Sequence, residues 1–181
     1  MFHVQLVANK CAMNGNERLN DFIAGFVSGE GCFFVTIQSG HIYTPQVLCG
    51  FSLKVRADDL ELIRTIWRAL DFAGNIHHIS AKRYRYNWDS VRRHDSVLLI
   101  VRKLDELTNN IIPFFDKYPL RGQKRRNYEI WKEVVMMMER GEHRTAEGFE
   151  RVLALKAEMN RYQGQDEEIE AYTEDAEESP K

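Results

Sequence analysis

The chain has 181 residues, of which 44% are apolar, 11% aromatic and 29% charged, a length suited to one globular domain with a sizeable core. No run of about 18 apolar residues exists, which excludes a membrane-spanning helix, and Met1 to Lys10 holds no apolar stretch of secretory-signal length. Cys11, Cys32 and Cys49 are odd in number, form no CxxC pair and have apolar neighbours; they are expected as buried thiols of a reducing, intracellular compartment rather than as a disulfide framework or zinc site.

The net charge of −2 hides an asymmetry. Gly164 to Lys181 holds eight acidic residues against Lys181 alone; without them, residues 1–163 carry 24 Lys and Arg against 19 Asp and Glu, a net of +5. Within His77–Arg126 the basic excess is 12 against 5. The body (1–163) is basic and the tail (164–181) acidic, so the whole-chain charge is a misleading reason to dismiss a nucleic-acid partner. The tail has few large apolar groups and is expected to be disordered.

In chain order, Asn16 or Asn20 opens a helix whose apolar face is Leu19, Phe22, Ile23, Phe26 and Val27. Gly29 and Gly31 are expected to stop it, leaving Glu30 just past its end. A strand follows, with Phe33, Val35 and Ile37 on one face and Cys32, Phe34, Thr36 and Gln38 on the other. Gln46 to Val55 returns as a second strand, Val47, Cys49, Phe51 and Leu53 inward and Gln46, Leu48, Gly50 and Ser52 outward. Asp58 is expected to cap a helix with the face Leu60, Ile63, Ile66, Trp67 and Leu70, ended by Gly74. Strands near Asn75–Ala81 and Ser96–Val101 flank a basic aromatic stretch. A helix through Leu104, Leu107, Ile111 and Ile112 is expected to stop before Pro113, and two more span roughly Gln123–Arg140 and Ala146–Tyr162. Strand pairs with short connections imply an α+β fold, an antiparallel sheet with helices on one face.

The chemistry concentrates in Phe22-Ile23-Ala24-Gly25-Phe26-Val27-Ser28-Gly29-Glu30-Gly31. Ala24 and Gly25 sit within the helix, where glycine costs about 1 kcal/mol against alanine, tolerable where two backbones approach closely. A carboxylate beside a helix C-terminus is disfavoured unless a cation compensates. Two such carboxylates across a twofold axis would make an oxygen-ligand site suited to Mg²⁺. Gly29-Glu30-Gly31 is no dinucleotide fingerprint, because no third glycine follows and the order is helix to strand.

Around this motif, Thr36, Gln38, Gln46 and Ser52 suit base-edge hydrogen bonds or a solvated sheet face. Phe34 and Leu48 suit thymine methyls or ordinary exposure. Lys82, Arg83 and Arg85 interleave with Tyr84 and Tyr86 as a phosphate clamp or a solvated hairpin tip. His77 and His78 face opposite ways on a strand, and surface contacts to DNA or water are expected of them. Arg121, Lys124, Arg125 and Arg126 open a helix, a poor place for cations unless anions are near.

The motif resembles that of the LAGLIDADG homing endonucleases, as does the helix–strand–strand–helix–strand–strand order over residues 17–116. The segment Pro119-Leu120-Arg121-Gly122-Gln123-Lys124 is similar to a recurrent downstream stretch of that family. The resemblance implies an αββαββα fold, a four-stranded antiparallel saddle with extra C-terminal helices. It implies a double-strand DNA endonuclease of the single-motif type, a homodimer with no membrane partner, cutting a long, roughly palindromic duplex site with Mg²⁺ or another divalent cation. In that frame Glu30 and the Gly29 carbonyl hold metal, and Lys124, or else Arg121, lies near the scissile phosphate. Phe34, Thr36, Gln38, Gln46, Leu48, Ser52, His78, Lys82, Arg83, Arg85, Arg121 and Arg125 meet DNA. Phe22, Ala24, Gly25 and Ser28 line the dimer interface. Ser28 stands where the family more often has an acid, and Val55 near where it often has Gln. An intron-splicing maturase or regulator on the same scaffold, without cleavage, is the alternative.

Overall fold

The computed structural model describes residues 15–38, 45–81 and 94–159. Helix α1, Gly15–Glu30, buries Ile23, Ala24 and Val27. It runs through Gly29 and ends on Glu30, one residue later than expected, because strand β1, Gly31–Gln38, begins without any loop. Gly31 permits that abrupt change. A Cβ there would lie 2.5 Å from Val27 Cγ1 and 2.8 Å from the Val27 carbonyl oxygen, so a side chain would push the strand off the helix end.

Strand β2, Gln46–Arg56, pairs antiparallel with β1, Gly31 opposite Leu53 and Gln38 opposite Gln46. A 3₁₀ turn, Ala57–Asp59, leads into α2, Leu60–Ala69. Asp58 does not cap α2 as expected: its carboxylate accepts from Arg56 at 2.7 Å, and Asp59 holds the cap position without a side-chain bond. Strands β3, Asn75–Ile79, and β4, Ser96–Val101, complete a sheet of order β1-β2-β4-β3, every pair antiparallel. The α2–β3 turn places Gly74 at φ +74°, where its N–H donates to the Glu106 carboxylate at 2.9 Å.

Three consecutive pieces, Leu104–Glu106, the π-type turn Leu107–Ile111 and Ile112–Lys117, form one helical rod, α3. The helix thus passes Pro113 instead of stopping before it. Proline has no N–H and its ring crowds the carbonyl four residues back; the widened π turn absorbs both by replacing the ordinary hydrogen bonds of that stretch. Helix α4, Gly122–Glu139, a 3₁₀ turn Glu142–Arg144 and α5, Ala146–Glu158, follow. Thr145 caps α5 by accepting from the Gly148 N–H.

All helices contribute to a single core on one face of the sheet. Its centre is Phe33 (3% exposed), whose ring lies 5.1 Å from Phe51, 5.6 Å from Phe115, 5.3 Å from Tyr128 and 5.0 Å from Trp131. Burying such a ring contributes about 1.5–3 kcal/mol, and edge or tilted ring pairs add roughly 0.5–1.5 kcal/mol each. Because Phe33 is the third residue of β1, this cluster fixes the α1–β1 junction and with it Glu30. Cys49 is buried as expected, whereas Cys32 is exposed: it alternates with Phe33 and so points to the uncovered side of the sheet.

Candidate active site and uncovered sheet face

Glu30, at the α1 C-terminus, is exposed and has no hydrogen bond or ion pair among the described residues. The last carbonyls of a helix lack intrahelical donors and carry the negative end of its dipole. A carboxylate added there has no compensating cation on its own helix, whose last turn contains no basic residue. Oxygen donors of this kind suit a hard divalent cation. Among the described residues no cluster of three or more Asp, Glu, His or Cys able to hold a metal occurs.

Lys124 is brought to this junction from 93 residues away, its Nζ donating to the Gly31 carbonyl at 2.5 Å. Arg121, at the α4 N-cap, and Arg125 are exposed. The first turn of α4 has no acidic residue, so its dipole and Lys124 put positive charge at the junction beside Glu30, which favours an anion, while Arg125 turns to Glu129, its Nε 4.0 Å from the carboxylate.

Along α1, Phe22 (50% exposed), Gly25 and Gly29 share the solvent face, and nothing among the described residues lies within 4 Å of where a Cβ on either glycine would be. Ala24 and Ser28, expected at a dimer interface with Phe22 and Gly25, point into their own chain. Ala24 is 4% exposed and, with Ile23 and Val27, is one of the three buried residues of α1. The Ser28 hydroxyl donates to the Ala24 carbonyl at 2.7 Å and accepts the Arg121 N–H at 2.9 Å. The residue that shares the open face is Gly29.

The strand registers assign the uncovered sheet face. Phe34, Thr36, Gln38, Gln46, Leu48 and Ser52 lie on it, with Cys32. The Phe34 ring lies against Gly50 on the next strand, where a side chain would overlap it. His78 does not reach this face: it pairs with buried Val97, while His77, opposite Leu98, takes the outward place. Lys54 and Arg56 also point outward, and Val55 inward opposite Val97, which accounts for its apolar character. Lys54 and Arg56 were missed although they continue the alternation of Ser52. Lys82, Arg83 and Arg85 lie outside the described residues, as does the acidic tail.

A family profile described as "LAGLIDADG endonuclease" matches residues 23–135. Among curated relatives, "Probable intron-encoded endonuclease 2" of Neurospora crassa is 27% identical over 136 residues, covering 75% of this chain and 26% of that protein. "Probable intron-encoded DNA endonuclease 1" of Mycosarcoma maydis is 29% identical over 126 residues, covering 67% and 40%. Similar solved structures include the I-LtrWI homing endonuclease bound to target DNA, with TM-score 0.71 and 30% identity over 86% of this chain and 49% of that one. I-SmaMI bound to an uncleaved DNA target in the presence of calcium ions gives 0.67 and 27%, over 81% and 46%. The chain spans just under half the length of these solved chains. No helix of the described residues is long and apolar enough to cross a membrane. The profile match covers more than half of the 181 residues and is centred on the helix, sheet and acidic junction described above, so the chain belongs to the LAGLIDADG endonuclease family.

Proposed function

We propose that this chain is a divalent-metal-dependent, sequence-specific double-strand DNA endonuclease that works as a homodimer on a long, roughly palindromic site. The observation that carries the reading is Glu30, an exposed carboxylate with no partner among the described residues, at the negative end of α1 and beside a helix face left open at Gly25 and Gly29. Pairing two α1 helices through that face brings two Glu30 side chains to one axis. The calcium ions present in the I-SmaMI complex support a divalent cation, and Mg²⁺ is the proposed one here.

Glu30 and the Gly29 carbonyl would hold the cation, which when bound neutralises phosphate charge and acidifies a water. Lys124 reaches the same junction, where its side chain neutralises charge growing on the phosphate and supplies a hydrogen-bond donor to its oxygens. The outward side chains of β1 and β2 read base edges in the major groove: Thr36, Gln38, Gln46 and Ser52 by hydrogen bonds, Phe34 and Leu48 against thymine methyls. Lys54, Arg56, Arg121 and Arg125 meet phosphates and fix register, and His77 takes the contact expected of His78.

Incubated with a supercoiled plasmid carrying a site selected from randomised duplexes, the protein will give linear product with Mg²⁺ and none with EDTA. A bound but intact plasmid in Mg²⁺ would leave a binding protein instead.

Thiol chemistry tests the interface without cleavage. Burial pushes the Cys49 thiol up to about 12, so at pH 8 it remains protonated as well as inaccessible, and iodoacetamide will leave it unmodified. Cys32 will be alkylated in the free protein and protected about tenfold or more by saturating duplex, read by peptide mass spectrometry. Unchanged Cys32 labelling on the complex would place DNA elsewhere.

A further inference from the structure

The Ser28 hydroxyl uses both of its hydrogen-bonding functions on backbone, giving its proton to the Ala24 carbonyl at 2.7 Å and accepting the Arg121 N–H at 2.9 Å. Arg121 is the N-cap residue of α4, a helix with no side-chain cap of its own. Lys124 lies one turn farther on and donates to the Gly31 carbonyl at 2.5 Å. The α1–β1 junction is therefore tied to the start of α4 at two points, residues 28 and 31, which bracket Glu30. We propose that Ser28 is a positioning residue that sets the placement of Lys124 relative to Glu30 by holding the α4 N-terminus on the last turn of α1. The proposal rests on the reading of Glu30 and Lys124 as the acid and the cation of the cleavage site.

The geometry is selective for a hydroxyl. The position needs one atom that accepts from an N–H and donates to a C=O at once, which the hydroxyl oxygen of Ser or Thr provides. Alanine leaves the Arg121 N–H without its partner. A carboxylate accepts that N–H but has no proton for the Ala24 carbonyl, so a serine in place of an acid changes what the residue does: it braces the junction instead of adding a charge to it. With the brace lost, the Lys124 tether remains, but the backbone from which it extends is free to shift. Displacements near 1 Å at a reacting centre cost on the order of 10²-fold in rate.

The test compares wild type, Ser28→Ala and Ser28→Thr on the plasmid substrate under single-turnover conditions, with duplex affinity measured in parallel and amide hydrogen exchange followed at Arg121. Ser28→Ala should cleave about 10- to 100-fold more slowly with affinity within twofold of wild type, and should lose protection at the Arg121 amide. Ser28→Thr should restore both. Wild-type cleavage by Ser28→Ala, or rate and affinity falling by the same factor, overturns the proposal. So does an Arg121 amide that already exchanges freely in the wild type, a measurement that requires no variant to fold. If the wild type itself cuts no duplex, the endonuclease reading fails, while the exchange experiment still decides whether the brace exists.

Discussion

Glu30→Gln will bind its duplex site with affinity close to wild type and cleave it at least about 10²–10³-fold more slowly, the scale seen when one preorganised group is removed from a reacting centre. The substitution keeps shape and removes one charge. Because Glu30 is exposed and has no partner among the described residues, the fold loses no contact, and stability should stay within about 0.5 kcal/mol. The sign of any residual change is favourable, since a neutral amide relieves the carboxylate's conflict with the helix C-terminus. A loss of rate without loss of binding or stability is the pattern of a group used only in the reaction. Single-turnover cleavage, gel-shift affinity and thermal unfolding on one preparation provide the three readings. Cleavage at the wild-type rate would remove Glu30 from the chemistry.

The order of elements was legible from periodicity because the sheet has one covered face. Strand β4 was delimited correctly at Ser96–Val101, and the inward set Val47, Cys49, Phe51 and Leu53 is the buried one. What failed did so for identifiable reasons. Strand β3 lies at the sheet edge, and both His77 and His78 are exposed. Alternation there carries no polarity signal, and only the register against β4 tells which histidine faces outward. Pro113 looks like a helix stop because the π turn that accommodates it leaves no mark in the sequence. Ser28 was assigned from its motif position, but its direction depends on an N–H supplied 93 residues away. Ala24 is different: at about 100° per residue it falls on the side of Ile23 and Val27, while Gly25 and Gly29 fall opposite. That arithmetic was available in the sequence and would have separated the two small residues.

The same separation makes Gly25 the position where folding and assembly are opposed. Nothing among the described residues lies within 4 Å of a Cβ there, so Gly25→Leu has room in the isolated domain. It replaces a poor helix former by a good one, a gain of up to about 1 kcal/mol, and Tm should hold or rise. Two helices paired through glycines, however, approach more closely than side chains of ordinary size allow, and helix axes normally stand about 8–10 Å apart. A leucine on each copy would hold the two α1 helices apart and keep the two Glu30 carboxylates from sharing an axis. If the proposed homodimer forms through this face, light scattering should show a dimer for the wild type and a protomer-sized species for the variant, and cleavage should fall by about 10²-fold or more, although Glu30 and Lys124 are untouched. A Gly25→Leu protein that remains dimeric and cleaves normally would mean that the open face of α1 is not where the second copy sits. A protein that unfolds would contradict the space seen around Gly25. A more stable and inactive protomer is the outcome that only pairing through this face produces.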